Sequence, residues 1–282
     1  MKRLILLSFT GLVVLAALFE VSGLRARVFG RERYRFHYAS GPMLAEEQAA
    51  LRSSSWKLET LTVAPNMSIQ IARASARSKD GPWLLYLPGN DKTQLKRGMQ
   101  VLEALRADHD AHLAALSYRS YSGNPGSAEV DRIAEDNLAI VEALERQHGI
   151  TPARLHLIGF SIGGYFAGRL TADLSERGRT PASLTLLAPG YDLVMIRPSP
   201  LARLGLGDDY QMAPFLPSVK SRSLVLQGSA DEAFHGPDQG KAAARLLSQT
   251  GSSSYFEFPG LEHEALLEHE PALTRAREFL WK

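Results

Sequence analysis

Short apolar runs alternate with segments of helical periodicity along most of this chain, and that alternation leaves few architectures open. The runs at residues 83–87 and 154–158 are mainly apolar, which is typical of strands covered on both faces. Between them, Leu95, Met99 and Leu102 share one face of a helix. Strands that alternate with helices predict an α/β fold, with a mostly parallel sheet and helices on both faces.

The predicted elements form one domain over residues 56–282, because no linker rich in glycine, serine or proline and no internal repeat divides it. The first two strands form a hairpin that turns at Pro65 and Asn66. About eight strands are predicted, at residues 56–63, 67–74, 83–87, 111–117, 154–158, 183–187, 223–227 and 254–258. Helices are predicted around residues 95–105, 130–144, 162–174, 240–248 and 264–280.

The segment at residues 1–23 differs from the rest of the chain and is kept apart from the fold prediction. A basic start is followed by a 16-residue run without charge, residues 4–19. As a helix this run is about 24 Å long, shorter than the roughly 30 Å hydrocarbon core of a bilayer. Two interpretations stay open: a cleaved secretory signal peptide, or an uncleaved membrane anchor that extends to about residue 24.

Residues 24–55 are predicted to form a basic juxtamembrane or linker segment. Arginines crowd its first part, at Arg25, Arg27, Arg31, Arg33 and Arg35. Positive charge directly after an apolar span disfavours translocation of that flank and suits contact with lipid headgroups. We therefore expect the protein to be membrane-anchored through its N-terminal segment, with membrane lipid as a partner, or else exported to the periplasm or secreted.

Composition excludes several classes of function. The formal net charge is only +2, and no run of lysine and arginine is interleaved with aromatic residues, so we expect no nucleic-acid partner. The chain has no cysteine, which rules out disulfides and thiolate metal or redox sites. It also lacks a Walker-type loop and a G-x-G-x-x-G motif, so no nucleotide cofactor is implied, and we expect neither a cofactor nor a metal.

The stretch Gly159-Phe160-Ser161-Ile162-Gly163 follows a predicted strand and opens a predicted helix. It matches G-x-S-x-G, the nucleophile elbow, in which a tight turn holds the serine hydroxyl clear of the sheet. The glycines are needed because strand and helix crowd each other at this turn. The backbone N–H of Ile162 then lies at a helix N-terminus, where it can stabilise negative charge.

A serine needs a base to act as a nucleophile, and candidate partners follow two later strands. Asp231 comes just after the strand at residues 223–227, and His263 comes just after the last strand. In parallel sheets these positions meet at one edge, so Ser161, Asp231 and His263 are predicted to form a catalytic triad. Asp192 and, more weakly, Glu232 are rival candidates for the acid.

A turn after the strand at residues 83–87, Pro88-Gly89-Asn90, is the candidate for a second backbone donor. Acyl-transfer sites pair such a loop amide with the amide that follows the nucleophile. Asn90 and Ile162 are therefore the predicted oxyanion-hole residues. A plain Pro-Gly turn without this role is the alternative interpretation of the loop.

With these motifs the chain resembles the α/β-hydrolase superfamily over residues 56–282. The stretch at residues 118–129, YRSYSGNPGSAE, is similar to the Y-R-G-Y-G-x-S-x-G-x-P-S-E loop of monoacylglycerol lipase-like enzymes, lysophospholipases and depalmitoylases. That branch also has an H-G-N oxyanion segment. Here Pro88 replaces its histidine, and Ser120 and Ser122 replace two glycines of the loop.

The resemblance implies a serine hydrolase that cleaves carboxylic esters through an acyl-enzyme, with a small-molecule acyl ester as substrate. Residues 189–222, where such folds insert a lid, carry many apolar side chains and five prolines. They are predicted to cover an acyl site, which favours lipid-like or medium acyl esters; ordinary packing of a crossover is the alternative. A peptidase or acyltransferase with the same triad, and a non-catalytic binding protein, are the other classes that stay open.

Overall fold

The computed structural model describes residues 41–193, 210–234 and 236–282. Its strands are β1 (Lys57–Ala64), β2 (Met67–Ala74), β3 (Trp83–Leu87), β4 (His112–Ala115), β5 (Leu155–Phe160), β6 (Ser183–Leu187), β7 (Arg222–Gly228) and β8 (Ser253–Phe258). Its helices are α1 (Ala45–Arg52), α2 (Gln94–Arg106), α3 (Val130–His148), α4 (Ile162–Glu176), α5 (Asp238–Leu247) and α6 (Glu270–Leu280). No helix in these ranges is both long enough and apolar enough to cross a membrane. The predicted signal or anchor at residues 1–23 and the basic stretch up to residue 40 lie outside the described residues.

The eight strands form one sheet in the order β1-β2-β4-β3-β5-β6-β7-β8. β2 runs antiparallel to both β1 and β4, and every other neighbouring pair is parallel. The prediction of a mostly parallel sheet of about eight strands is therefore confirmed. The order changes direction beside β3 and β5, so the ends of these two strands lie next to each other where such sheets place their sites.

Both faces of the sheet are covered, as predicted. In β3, Leu84 and Tyr86 pack in a core layer with α2 and α6, whereas Trp83, Leu85 and Leu87 pack in the opposite layer with α3, α4 and α5. All five side chains are buried, and burial of one such side chain contributes roughly 1.5–3 kcal/mol to folding. The central strands therefore form a rigid base for the loops at their ends.

The prediction of a single helix over residues 264–280 is wrong. A short 3₁₀ turn, Glu264–Leu267, comes first, and α6 begins only at Glu270. Pro271 lies in the first turn of α6, where its missing N–H costs nothing. A proline is tolerated only there, so the helix has to begin just before it.

The crossover between β6 and β7, predicted as a lid at residues 189–222, is described only at its two ends. Met212, Phe215 and Leu216 are buried in the same core layer as α4, and Met212 contacts Gly168 of that helix. These three side chains therefore pack as part of an ordinary crossover, which was the alternative to a lid. Residues 194–209 lie outside the described residues.

Candidate active site

Ser161 stands between β5 and α4 in a backbone conformation that L-residues rarely adopt, with φ of +57° and ψ of −125°. Its amide donates to the carbonyl of Leu187 at 3.0 Å, and its carbonyl accepts from Gly164 and Gly190 at 2.9 Å each. These bonds tie the strained residue to the end of β6, to the loop after β6 and to the first turn of α4. Strain of this kind costs on the order of 1–3 kcal/mol and persists where the surrounding structure enforces it.

The two flanking glycines of the elbow are required by close approach of backbone. A Cβ at Gly159 would lie 2.2 Å from the carbonyl oxygen of Gly163, and a Cβ at Gly163 would lie 2.0 Å from that of Leu87. Any side chain at either position would force β5, α4 and β3 apart. The elbow thus has the crowding that the sequence motif predicts.

Asp231 and His263 meet as their positions after β7 and β8 predict. Nδ1 of His263 lies 2.7 Å from Oδ2 of Asp231, and both side chains are buried. The second oxygen of Asp231 accepts from the backbone amide of Phe234 at 3.0 Å, and Oδ2 also accepts from Nε2 of Gln227 at 2.7 Å. The carboxylate is therefore held by three donors. A histidine held in this way keeps its Nε2 available for proton transfer.

The rival acids have other positions. Glu232 accepts a hydrogen bond from the backbone amide of His263 at 3.0 Å, so it supports the histidine loop but does not contact the ring. Asp192 pairs in an isolated bridge with Gln211, and its carboxylate accepts from that side chain at 3.2 Å. The structure therefore places Asp231, and neither rival, on the imidazole.

Ser161 and His263 line one open cavity of about 210 Å³. Its apolar lining comes from Phe160, Ile162, Ala233 and Phe234, and its polar lining includes Asn90 and Arg97. The rings of Phe160 and Phe234 pack on the His263 ring, at centroid distances of 4.8 and 5.2 Å. Among the described residues no hydrogen bond joins the Ser161 hydroxyl to His263, a looseness common in sites without substrate.

A sequence comparison identifies relatives of this chain. It is 30% identical over 210 residues to an uncharacterised protein of Mycobacterium tuberculosis, present in strains H37Rv and CDC 1551, and the match covers 71% of this chain and 70% of the relative. The chain belongs to the family of that mycobacterial protein. A lysophosphatidylserine lipase of Danio rerio, ABHD12, is 26% identical over 125 residues, which is 40% of this chain and 32% of the lipase. No family model matches the chain.

Solved structures identify the fold. An esterase of Pyrococcus furiosus, Pf2001, superposes with a TM-score of 0.68 at 14% identity, over 86% of this chain and 97% of the esterase. An α/β hydrolase of Vibrio vulnificus gives a TM-score of 0.69 at 15% identity, over 91% and 89% of the two chains. The chain has the α/β-hydrolase fold.

Within this fold the loop after β3 is fixed by side chains that sequence reasoning missed. The side-chain amide of Gln94 donates to the carbonyl of Gly89 at 3.0 Å. The hydroxyl of Tyr118 donates to the carbonyl of Pro88 at 2.9 Å. The hydroxyl of Tyr121 donates to the side-chain oxygen of Asn90 at 2.6 Å. Burial raises the pKa of both tyrosines, so both remain protonated donors at any ordinary pH.

The backbone amides of Ile162 and Asn90 make no hydrogen bond within the part of the chain that the structure describes. Both residues line the cavity beside Ser161. Ile162 is the first residue of α4, so its N–H belongs to the open end of a helix. The two predicted oxyanion residues are thus brought to the serine, and their amides are available to a ligand.

Charged side chains surround the mouth of the cavity. Arg97 lies between Asp91 and Glu264, with nitrogen-to-oxygen distances of 3.5 and 3.2 Å. Glu264 is largely exposed, so its ion pair is worth well under about 1 kcal/mol. The pair links α2 to the turn after His263 and can be broken at little cost.

Proposed function

We propose that this protein is a serine hydrolase that cleaves carboxylic esters through an acyl-enzyme. The observation that carries the proposal is the buried Asp231–His263 contact of 2.7 Å, next to a cavity that His263 shares with the strained Ser161. An imidazole oriented by a carboxylate, beside a serine on a tight elbow, is the arrangement that makes a hydroxyl nucleophilic.

In the proposed reaction the Ser161 hydroxyl attacks the ester carbonyl and gives its proton to Nε2 of His263. Asp231 stabilises the imidazolium that forms and fixes the tautomer of the ring. The oxyanion accepts hydrogen bonds from the amides of Ile162 and Asn90, each worth on the order of 3 kcal/mol. His263 then protonates the leaving alcohol, and a water molecule, activated by the same imidazole, releases the acid from Ser161.

We propose an ester with an apolar acyl chain as the substrate. The lining of the cavity by Phe160, Ile162, Ala233 and Phe234 supports this choice, because such side chains favour acyl carbons over water. The Danio rerio relative is named as a lysophosphatidylserine lipase, an activity that points in the same direction. Lipid-like and medium-chain acyl esters are therefore the first candidates.

The experiment uses the full chain in mild detergent, because the apolar N-terminal segment is expected to bind lipid. Hydrolysis of p-nitrophenyl esters from two to sixteen acyl carbons is followed for the wild type, Ser161→Ala and Ser248→Ala. Ser248 is an exposed serine whose hydroxyl donates to the carbonyl of Arg245 at 2.9 Å, so its replacement controls for the loss of a serine elsewhere. Reaction with a fluorophosphonate probe reports the activated serine directly.

The wild type and Ser248→Ala should hydrolyse the esters and react with the probe, whereas Ser161→Ala should lose on the order of 10⁶-fold in kcat and should not react with the probe. A peptidase or an acyltransferase would also react with the probe. In an acyltransferase, however, an added amine or alcohol would outcompete water as the acceptor of the acyl group. A wild type that neither hydrolyses any ester nor reacts with the probe would refute the proposal.

A further inference from the structure

Gln227 lies in β7, four residues before Asp231, and its side chain is fully buried. Nε2 donates to Oδ2 of Asp231 at 2.7 Å, the same oxygen that contacts Nδ1 of His263. Oε1 of this glutamine has no hydrogen-bond partner among the described residues. A buried carbonyl without a partner costs roughly 1–3 kcal/mol, so the arrangement needs a reason.

The carboxylate of Asp231 is that reason. Turning the amide over would place Oε1 2.7 Å from Oδ2, and two oxygens that only accept hydrogen bonds repel each other at that distance. The backbone of α5 closes the other side, since a Cβ at Gly240 would lie 2.6 Å from Oε1. The side chain is therefore fixed with its donor on Asp231 and its acceptor unsatisfied.

We propose that Gln227 is a positioning residue that holds the Asp231 carboxylate in the orientation that His263 needs. The inference rests on the proposed function, because it concerns how the same triad is kept in place. The bond from Nε2 joins Oδ2, and the bond from the Phe234 amide joins Oδ1, so together they fix the rotation of the carboxylate. Without Nε2, the Asp231 carboxylate keeps one donor besides the imidazole among the described residues, the Phe234 amide, and the ring that depends on the carboxylate is less well oriented.

The first test compares Gln227→Leu with Thr185→Val in the full chain. Leucine removes the donor and the unsatisfied carbonyl together while nearly keeping the volume. Thr185 on the neighbouring strand β6 also has a buried oxygen without a partner among the described residues, and it has no contact with the triad, which makes it a matched control. Gln227→Leu should lower kcat by about tenfold or more with KM within twofold, while Thr185→Val keeps the kcat of the wild type.

Stability separates positioning from folding. Thr185→Val removes an unsatisfied buried oxygen and should not lower the urea midpoint of unfolding. Gln227→Leu removes such an oxygen together with the bond to Asp231, two changes of similar size and opposite sign, so its midpoint should stay close to that of the wild type. A fall in kcat without a fall in stability is the signature of a positioning role. A folded Gln227→Leu variant whose kcat stays within twofold of the wild type would overturn the inference.

Gln227→Glu adds a readout that a packing role does not change. A protonated carboxyl can donate to Asp231 as the amide does, whereas an ionised one cannot and also repels it. The ratio of kcat in Gln227→Glu to kcat in the wild type should therefore fall as pH rises, while the same ratio for Gln227→Leu stays flat. A flat ratio for both folded variants contradicts the inference. Failure of the proposed function is distinct, because the wild type itself would then be inactive.

Discussion

Two serines in the loop after β4 have a backbone that suits glycine. Ser120 has a φ of +75° and Ser122 a φ of +48°, in the left-handed region that costs an L-residue roughly 1–2 kcal/mol. These are the two positions where the resembling loop has glycine. The loop thus keeps a backbone conformation that favours glycine although serine stands at both positions. Contacts elsewhere in the fold must offset the free-energy cost of this conformation.

Ser120→Gly is expected to stabilise the protein. Relief of the strained φ outweighs the greater chain entropy of glycine, which leaves a gain of about 0.5–1 kcal/mol in the free energy of unfolding. Urea denaturation of the wild type and the variant measures this gain. Ser122→Gly is the informative comparison, because its hydroxyl donates to the buried Glu47 at 2.9 Å and its loss offsets the same relief. A lower urea midpoint for Ser120→Gly would contradict the prediction.

The contact between Asp231 and His263 shows how far single residues can be predicted. Chain order and strand ends favoured His263 and, over its rivals Asp192 and Glu232, Asp231, because the carboxyl ends of parallel strands meet at one edge. Gln227 was not predicted as a contact of Asp231. It does stand out as a polar residue at the end of an otherwise apolar run, yet only the fold shows that its amide faces the carboxylate.

At the scale of elements, Glu47 joins parts of the chain that are far apart in sequence. One oxygen of its carboxyl group accepts from the amide of Leu95 at 3.1 Å and from Ser122, and the other accepts from the amide of Leu44 at 3.2 Å. The side chain is fully buried. Leu95 follows Gln94, which holds the carbonyl of Gly89, so α1 is coupled to the loop beside Ser161.

Glu47→Gln should destabilise the protein and lower its kcat. The amide offers one acceptor oxygen where the carboxyl group offers two, which leaves a buried donor unpaired at a cost of about 2 kcal/mol. We also expect kcat to fall, because the start of α2 loses its hydrogen bond to Glu47. Glu46→Gln is the matched control: Glu46 is half exposed and pairs with Lys96 at the surface, a contact worth at most about 1 kcal/mol. Equal unfolding free energies for the two variants would refute this role of Glu47.

The elements themselves were largely predictable, and the exceptions have physical causes. Period-two and continuous apolar runs marked the strands, and the elbow glycines marked the β5–α4 turn. The break before α6 was missed although Pro271, which has no N–H to donate, signals the start of a helix. The burial of Glu47 could not be predicted, since one of two adjacent acids in a polar stretch gives no sign that it becomes buried.

At the scale of the whole molecule, β5 connects two different environments. Ser161 follows its C-terminal end at the cavity, whereas His156 lies near its other end, buried against Ser183 with 2.8 Å between Nδ1 and Oγ. Burial, followed by the charge of Arg222, lowers the pKa of His156 to about 4. Protonation of this ring therefore affects the stability of the central sheet and not the chemistry at the opposite end.

The stability of the protein should consequently depend on this histidine in mild acid. Its pKa is about 4 when folded and about 6.5 when unfolded, so the unfolded chain binds the extra proton between these values. The stabilisation is complete above pH 6.5 and is lost as pH falls toward 4, at about 1.4 kcal/mol per pH unit.

His156→Asn removes the titration and keeps a polar partner for Ser183, at a packing cost that does not vary with pH. Buried acids and other histidines contribute equally to both proteins, so they cancel in the comparison. From pH 7.5 to 5.0 the wild type should lose about 2 kcal/mol more unfolding free energy than the variant, as measured by urea denaturation at each pH. Parallel pH curves would mean that the ring is solvated or ionised in the folded protein, contrary to its burial at the start of β5.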